Sequence, residues 1–116
     1  MSKISFEGIG EVAATFACAG EVKAGQTVKL TGSGAVGPCS AGDRFCGVAL
    51  TPGDEGFATV QVGGLVQVAA AEGLTEGWNP LLADGNGGVK KDSATTPTGR
   101  EYLVISVDST GAVVRL

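Results

Sequence analysis

Apolar and polar positions along the chain alternate in short runs broken by glycine, and one order of runs returns. Between residues 21 and 50 it reads as an apolar Val22, a glycine turn at Gly25 and an alternating pair, Val28 and Leu30. A glycine-rich reversal at 31–34, an apolar Val36, a looser loop and an apolar strand at 45–50 complete it. Leu74, Gly77, Leu82, a reversal over 83–88, Val89 and a closing strand at 102–107 follow the same order. Val22, Gly25 and Leu30 map onto Leu74, Gly77 and Leu82 with one constant offset. Val36 maps onto Val89 with one extra residue, and the closing strands need a longer insertion. Two copies of one β unit predict a pseudo-symmetric barrel or sandwich. The abundance of glycine and valine is the competing explanation.

The remaining segments carry strand and turn signals. Residues 1–10 alternate loosely through Ile4 and Phe6 and read as an N-terminal arm or an edge strand, with 11–116 as a single β domain. Residues 11–19 predict a strand with Val12, Ala14, Phe16 and Cys18 on one face. In the first unit, Val28 and Leu30 are expected to point inward and Thr27, Lys29 and Thr31 outward. Gly32-Ser33-Gly34 is a hairpin loop, and Gly37-Pro38 ends the next strand because proline cannot donate to a ladder. Residues 45–50 form a nearly continuous apolar run, expected to be a central strand, and 51–56 a surface loop. Residues 57–68 read as two strands, with Gly63-Gly64 either a tight hairpin turn or a bulge. Residues 69–73 predict one helical turn ended by glycine. Residues 92–100 form the longest loop and the one expected to be mobile. The chain closes on a hairpin around Asp108-Ser109-Thr110-Gly111.

Composition adds turns but little chemistry. The 116 residues make one domain, and a chain of this size buries about 65% of its unfolded surface. Its 20 glycines have no collagen-like period and read as turn punctuation. The net charge of −4, with only Lys90 and Lys91 adjacent among the basic residues, argues against nucleic-acid binding. No run approaches the ~20 apolar residues of a membrane span. The start has one lysine followed by acids, unlike a secretory signal, so synthesis in the cytoplasm is expected.

Catalytic constellations are missing from the sequence. There is no histidine, no nucleophile elbow, no phosphate loop and no zinc-protease motif. Cys18, Cys39 and Cys46 are an odd count without paired metal-ligand spacing, and they read as small, partly buried hydrophobes. Residues 84–88 open like a calcium loop but lack its later acidic ligands, so Asx-turn chemistry accounts for them better. No catalytic residue, cofactor or metal is expected. The single tryptophan, Trp78, stands beside a turn, where it either covers the end of a small barrel or anchors a subunit contact.

Several stretches together resemble a known family. They are Ile9-Gly10-Glu11-Val12, Ala19-Gly20-Glu21-Val22 with Gly25 and Val28-x-Leu30, and Phe45-Cys46-Gly47-Val48-Ala49-Leu50. After them come Gly53-Asp54-Glu55-Gly56, Val60-x-Val62 with Gly63-Gly64-Leu65-Val66, and Glu76-Gly77-Trp78-Asn79-Pro80-Leu81, then the closing Val113-Val114-Arg115-Leu116. This order is similar to that of the capsid-cement, or head-decoration, proteins of tailed bacteriophages and prophages. Leucines at 81 and 82 replace an aromatic residue, and Leu103-Val104-Ile105-Ser106 lacks the glycine of the late strand. The resemblance implies an all-β domain, a small β-barrel or β-clip, that trimerises on the outside of a virion and binds the major capsid protein. It implies no enzyme activity, no nucleic acid and no membrane. Ile4, Phe6, Ile9 and Trp78 are the candidate interface residues. A lipoyl- or biotinyl-type carrier module is the alternative, because it also duplicates a V-x-x-G-x-x-V unit. Its modified lysine would sit at a hairpin tip, and neither tip here holds one.

Overall fold

A computed structural model describes residues 10–18, 20–53, 55–70 and 73–116, and every regular element among them is a strand. Frequent turns and β-branched residues leave no stretch long enough for a stable helix. Strands β1 (Val12–Cys18), β2 (Thr27–Gly32), β3 (Ala35–Pro38), β4 (Gly47–Ala49) and β5 (Phe57–Gly63) close a barrel in the order β1-β3-β2-β4-β5. Strands β6 (Leu65–Val68), β7 (Gly77–Ala83), β8 (Val89–Lys91), β9 (Arg100–Asp108) and β10 (Gly111–Arg115) form a second sheet in the order β6-β10-β9-β7-β8. Residues 1–9 of the expected arm or edge strand lie outside the described residues, and with them Ile4, Phe6 and Ile9.

The two halves are copies of one unit. Starting from β1, the barrel runs β1-β5-β4-β2-β3, and the second sheet repeats this as β6-β10-β9-β7-β8. Parallel pairing of β1 with β3, Cys18 opposite Val36, closes the barrel. Its counterpart is a single parallel bridge between Ala70 and Val89, where the Val89 N–H donates to the Ala69 carbonyl at 2.9 Å. Three of the four pairs matched in sequence also match in place, but Leu30 is exposed where Leu82 is buried. Val22 and Leu74 are buried, Gly25 and Gly77 take φ of 85° and 109°, and Val36 and Val89 are core residues on equivalent strands. Because β6 is four residues long and β1 is seven, the second copy stays a nearly closed sheet.

Two apolar cores result, and the chain between 45 and 49 belongs to both. Phe45 and Val48 pack with Val66, Leu81, Tyr102 and Val114 between the halves, while Ala49 joins Val22, Val28, Val36 and Val60 inside the barrel. A strand buried on both faces reads as a continuous apolar run, which is why 45–50 looked central. Only Gly47–Ala49 is strand, flanked by β2 and β5.

Double burial also corrects the facing expected for β2. Val28 points inward as expected, but Leu30 is 60% exposed and Thr27 is buried. The Thr27 N–H donates to the Gly87 carbonyl (3.0 Å) and its hydroxyl to the Gly88 carbonyl (3.2 Å), so this residue joins the halves. A bulge between Leu30 and Gly32 turns the end of the strand away from the core. Alternation in sequence predicts one wet and one dry face, and β2 begins with two dry ones.

Gly63-Gly64 is not a hairpin turn, because β5 and β6 lie in different sheets, but a register shift opposite Val12 and Ala13 does leave Val62 as an extra residue beside Gly63. Gly64, at φ 85°, passes the chain across, with no room for a side chain beside Gly10. Buried Gln61 fastens the crossing by donating from Nε2 to the Gly63 and Leu65 carbonyls, both at 2.9 Å. Of the expected helical turn, residues 69, 70 and 73 are not helical, and Ala71 and Glu72 lie outside the described residues. The polar loop before β9 folds around one carboxylate. Asp92 accepts N–H bonds from Thr98 (2.7 Å), Gly99 (2.9 Å) and Ala94 (3.2 Å).

Those bonds, the Gly99 N–H foremost, hold the Asp92 carboxyl below its ordinary value. A depressed folded value means the loop gains its full support above about pH 3.9 and loses it as pH falls through the folded value. In NMR titrations the Thr98 and Gly99 amide shifts should therefore move with a midpoint below about 3.9. A midpoint at or above that value would mean the carboxylate is not bound by them. The Asp92→Ala variant should show no such titration.

Candidate interaction surfaces

Several described carboxylates are committed to structure, and the thiols are partly buried. Asp84 Oδ1 accepts from the backbone N–H of Asn86 (2.7 Å) and Gly88 (2.9 Å), the Asx turn expected there. Asp43 bridges the Lys29 ammonium at 2.7 Å and caps the Ser40 N–H at 2.8 Å. Asp108 Oδ1 accepts from both the N–H and the hydroxyl of Thr110, closing the last hairpin. The three cysteines are free and half-buried, as their apolar reading implied. Burial pushes the Cys39 thiol up to about 11 and raises Cys46 as well.

A thiol with so high a value is almost wholly protonated at neutral pH and is a poor nucleophile. Iodoacetamide at pH 7.5 should therefore modify Cys39 and Cys46 at least tenfold more slowly in the folded chain than in urea. Equal rates would show that the thiols are neither shielded nor raised.

Large apolar side chains left in solvent mark three surfaces. On the outside of the barrel, Val12 is 56% and Phe57 57% exposed, at opposite ends of the β1–β5 ladder, with Val12 opposite Gly63 and Phe57 opposite Ala17. The β1–β5 ladder sets this face: Phe16 and Cys18 pack inward, while Thr15 pairs with Thr59 and Ala17 with Phe57. A cleft of about 310 Å³ beside Phe57 is lined by Thr15, Thr51, Pro52, Ala58 and Thr59, without a charged residue. Trp78 stands on β7 at 63% exposure, so it does not cover the end of the barrel. Sequence reasoning passed over Phe57 and put Val12 on the same face as Phe16 and Cys18, whereas the register shift between Val12 and Ala13 leaves Val12 in solvent while those two pack inward. The signal for Phe57 was its phase, since Ala58 and Val60 on the same strand alternate inward.

The third surface is a cleft of about 440 Å³ where the halves meet, with Leu30 on its rim. Its floor is the Phe45–Tyr102 stack, with ring centres 4.9 Å apart and planes inclined by 13°. The Tyr102 hydroxyl donates to the Phe45 carbonyl at 3.3 Å. Burial raises the Tyr102 phenol, and the Arg100 guanidinium lies 5.0 Å over its ring. Lys29, Asp43 and Arg44 complete the walls. None of these groups forms a nucleophile–base pair; the cleft offers charge and aromatic surface.

Compared by sequence, the chain matches no family profile and no curated protein. Its fold is similar to that of a solved phage structure, the N base of head fiber gp8.5 in bacteriophage phi29, with a TM-score of 0.63. The match spans 91% of this chain and 93% of that one at 16% identity, so the likeness is one of fold. Neither described hairpin tip carries a lysine, and Lys90 and Lys91 lie within β8, which is unlike a carrier domain.

Proposed function

We propose that this chain is a non-enzymatic structural protein of a phage virion that decorates the outside of the head and braces the assembled shell. The observation that carries the reading is the fold shared with a phage head-fiber base across nearly the full length of both chains. Exposed Trp78, Phe57 and Val12 are large apolar side chains available for contacts in this reading. In this reading the partner is the major capsid protein, and the chain works as a homotrimer that touches several capsid subunits at once. Avidity then multiplies modest contacts. Binding only the assembled shell stabilises it by mass action.

The N-terminal residues Ile4, Phe6 and Ile9, with Trp78, supply the contacts in this proposal. The test is co-sedimentation of the purified chain with assembled heads of its own phage and with unassembled capsid protein. Binding to assembled heads alone, together with a higher temperature of head disruption, is the expected result. Removing residues 2–11 should abolish binding and leave the sedimentation coefficient that of a trimer. A strictly monomeric chain that ignores assembled heads would overturn the reading.

A further inference from the structure

The chain is acidic overall, yet all three of its arginines and its one tryptophan gather along a single surface. Beside the 440 Å³ cleft lies a smaller one of about 160 Å³, and the two share Arg100 and Tyr102 in their walls. The smaller one is lined by Trp78, Glu101 and Arg115 as well. Along both, Lys29, Arg44, Arg100 and Arg115 face only two acidic side chains, Asp43 and Glu101, and Asp43 is already taken by Lys29. Neither Arg44 nor Arg115 has an ion-pair partner among the described residues.

Cations left over in a chain of charge −4 form a local field of opposite sign to the rest of the surface. Guanidinium groups are flat, weakly hydrated and suited to two-point contact with carboxylates. Between them lie apolar walls: the exposed Trp78 indole, Leu30 and the Phe45–Tyr102 pair. A ligand that fills both clefts needs carboxylates separated by apolar side chains. An extended peptide does this when the side chains at every second position, which share one face, are in turn acidic and apolar.

We infer that the paired clefts form a docking groove for an acidic, apolar peptide segment of a partner protein, with its carboxylates on Arg44, Arg100 and Arg115 and an apolar side chain on Trp78. This goes beyond head decoration and stands whether or not the chain binds a capsid.

Trp78, as the only tryptophan, reports directly on the groove. The experiment titrates the full chain with a synthetic eight-residue peptide in which glutamate and leucine take turns at every second position with serine between them, following tryptophan emission at low salt. Parallel titrations use the lysine–leucine counterpart, polyglutamate and polyphosphate. A saturable emission change with the glutamate–leucine peptide is expected, at least tenfold tighter than with polyglutamate, and no response to the lysine peptide. The Arg44→Gln/Arg100→Gln variant should weaken binding at least tenfold, and Arg44→Gln alone should weaken it in part. Near-UV circular dichroism checks that both variants keep their fold; if the double variant does not, the single one decides. No saturable change, unchanged binding by the variants, or polyphosphate binding as tightly as the peptide would each overturn the assignment. The last would leave only a site for any anion.

Discussion

Replacing Phe45 with alanine is expected to lower the stability of the fold by about 3–5 kcal/mol. Phe45 is 6% exposed and lies where the chain passes from the barrel into the core shared with the second sheet. Its ring stacks on Tyr102, and its carbonyl accepts the Tyr102 hydroxyl. Truncation removes a large buried surface and leaves a cavity between two sheets, neither of which can move in without breaking its own ladders. Loss of the aromatic pair adds roughly 0.5–1.5 kcal/mol beyond area. Against a typical total of about 5–15 kcal/mol for a domain, that is a large fraction. Urea denaturation at 25 °C measures it, and Phe45→Leu, which keeps most of the volume, should lose less than half as much. A loss below about 1 kcal/mol for Phe45→Ala would show that the joint between the halves lies elsewhere.

The second large effect is expected at Gly111, the first residue of β10. Its φ of 145° belongs to a region open essentially to glycine alone, and an added Cβ would run into the Val68 carbonyl of the neighbouring strand. Backbone strain of about 1–3 kcal/mol then adds to the clash. Relief would have to pull β10 from β6, where Ala112 faces Val68. Gly111→Ala should therefore lower the melting temperature by roughly 10 °C or more, or prevent folding. Gly56→Ala is the control, with φ 84° but open space around the new Cβ. It should cost only about 1–2 kcal/mol. Equal losses at the two sites would mean that strain alone, without the Val68 carbonyl, sets the effect.

Much of this architecture could be read from the chain because it rests on local rules. Val22 and Leu74, Gly25 and Gly77, and Val36 and Val89 were paired by spacing, and each pair holds equivalent places in the two halves. The hairpin around Asp108 and Gly111 was legible because the turn needs a side-chain acceptor at one end and a positive φ at the other. The turn at 84–88 was legible for the same reason: Asp84 satisfies N–H groups only two and four residues away. The surfaces were less so. Trp78 could be picked out by composition, but whether it faced solvent could not. Arg44, Arg100 and Arg115 are far apart in sequence, and only folding brings them along one pair of clefts.

By itself, then, the order of residues determined the all-β class, the turns and the repeated unit, since each depends on neighbours a few positions away. Only the tertiary structure decided that Thr27 is buried and Leu30 is not, that Gly63-Gly64 carries the chain between sheets, and that Asp92 gathers a loop around itself. In each case the outcome depends on what packs against a strand's second face or who answers a distant carbonyl. Two-residue alternation records one interface per strand, and this chain builds two.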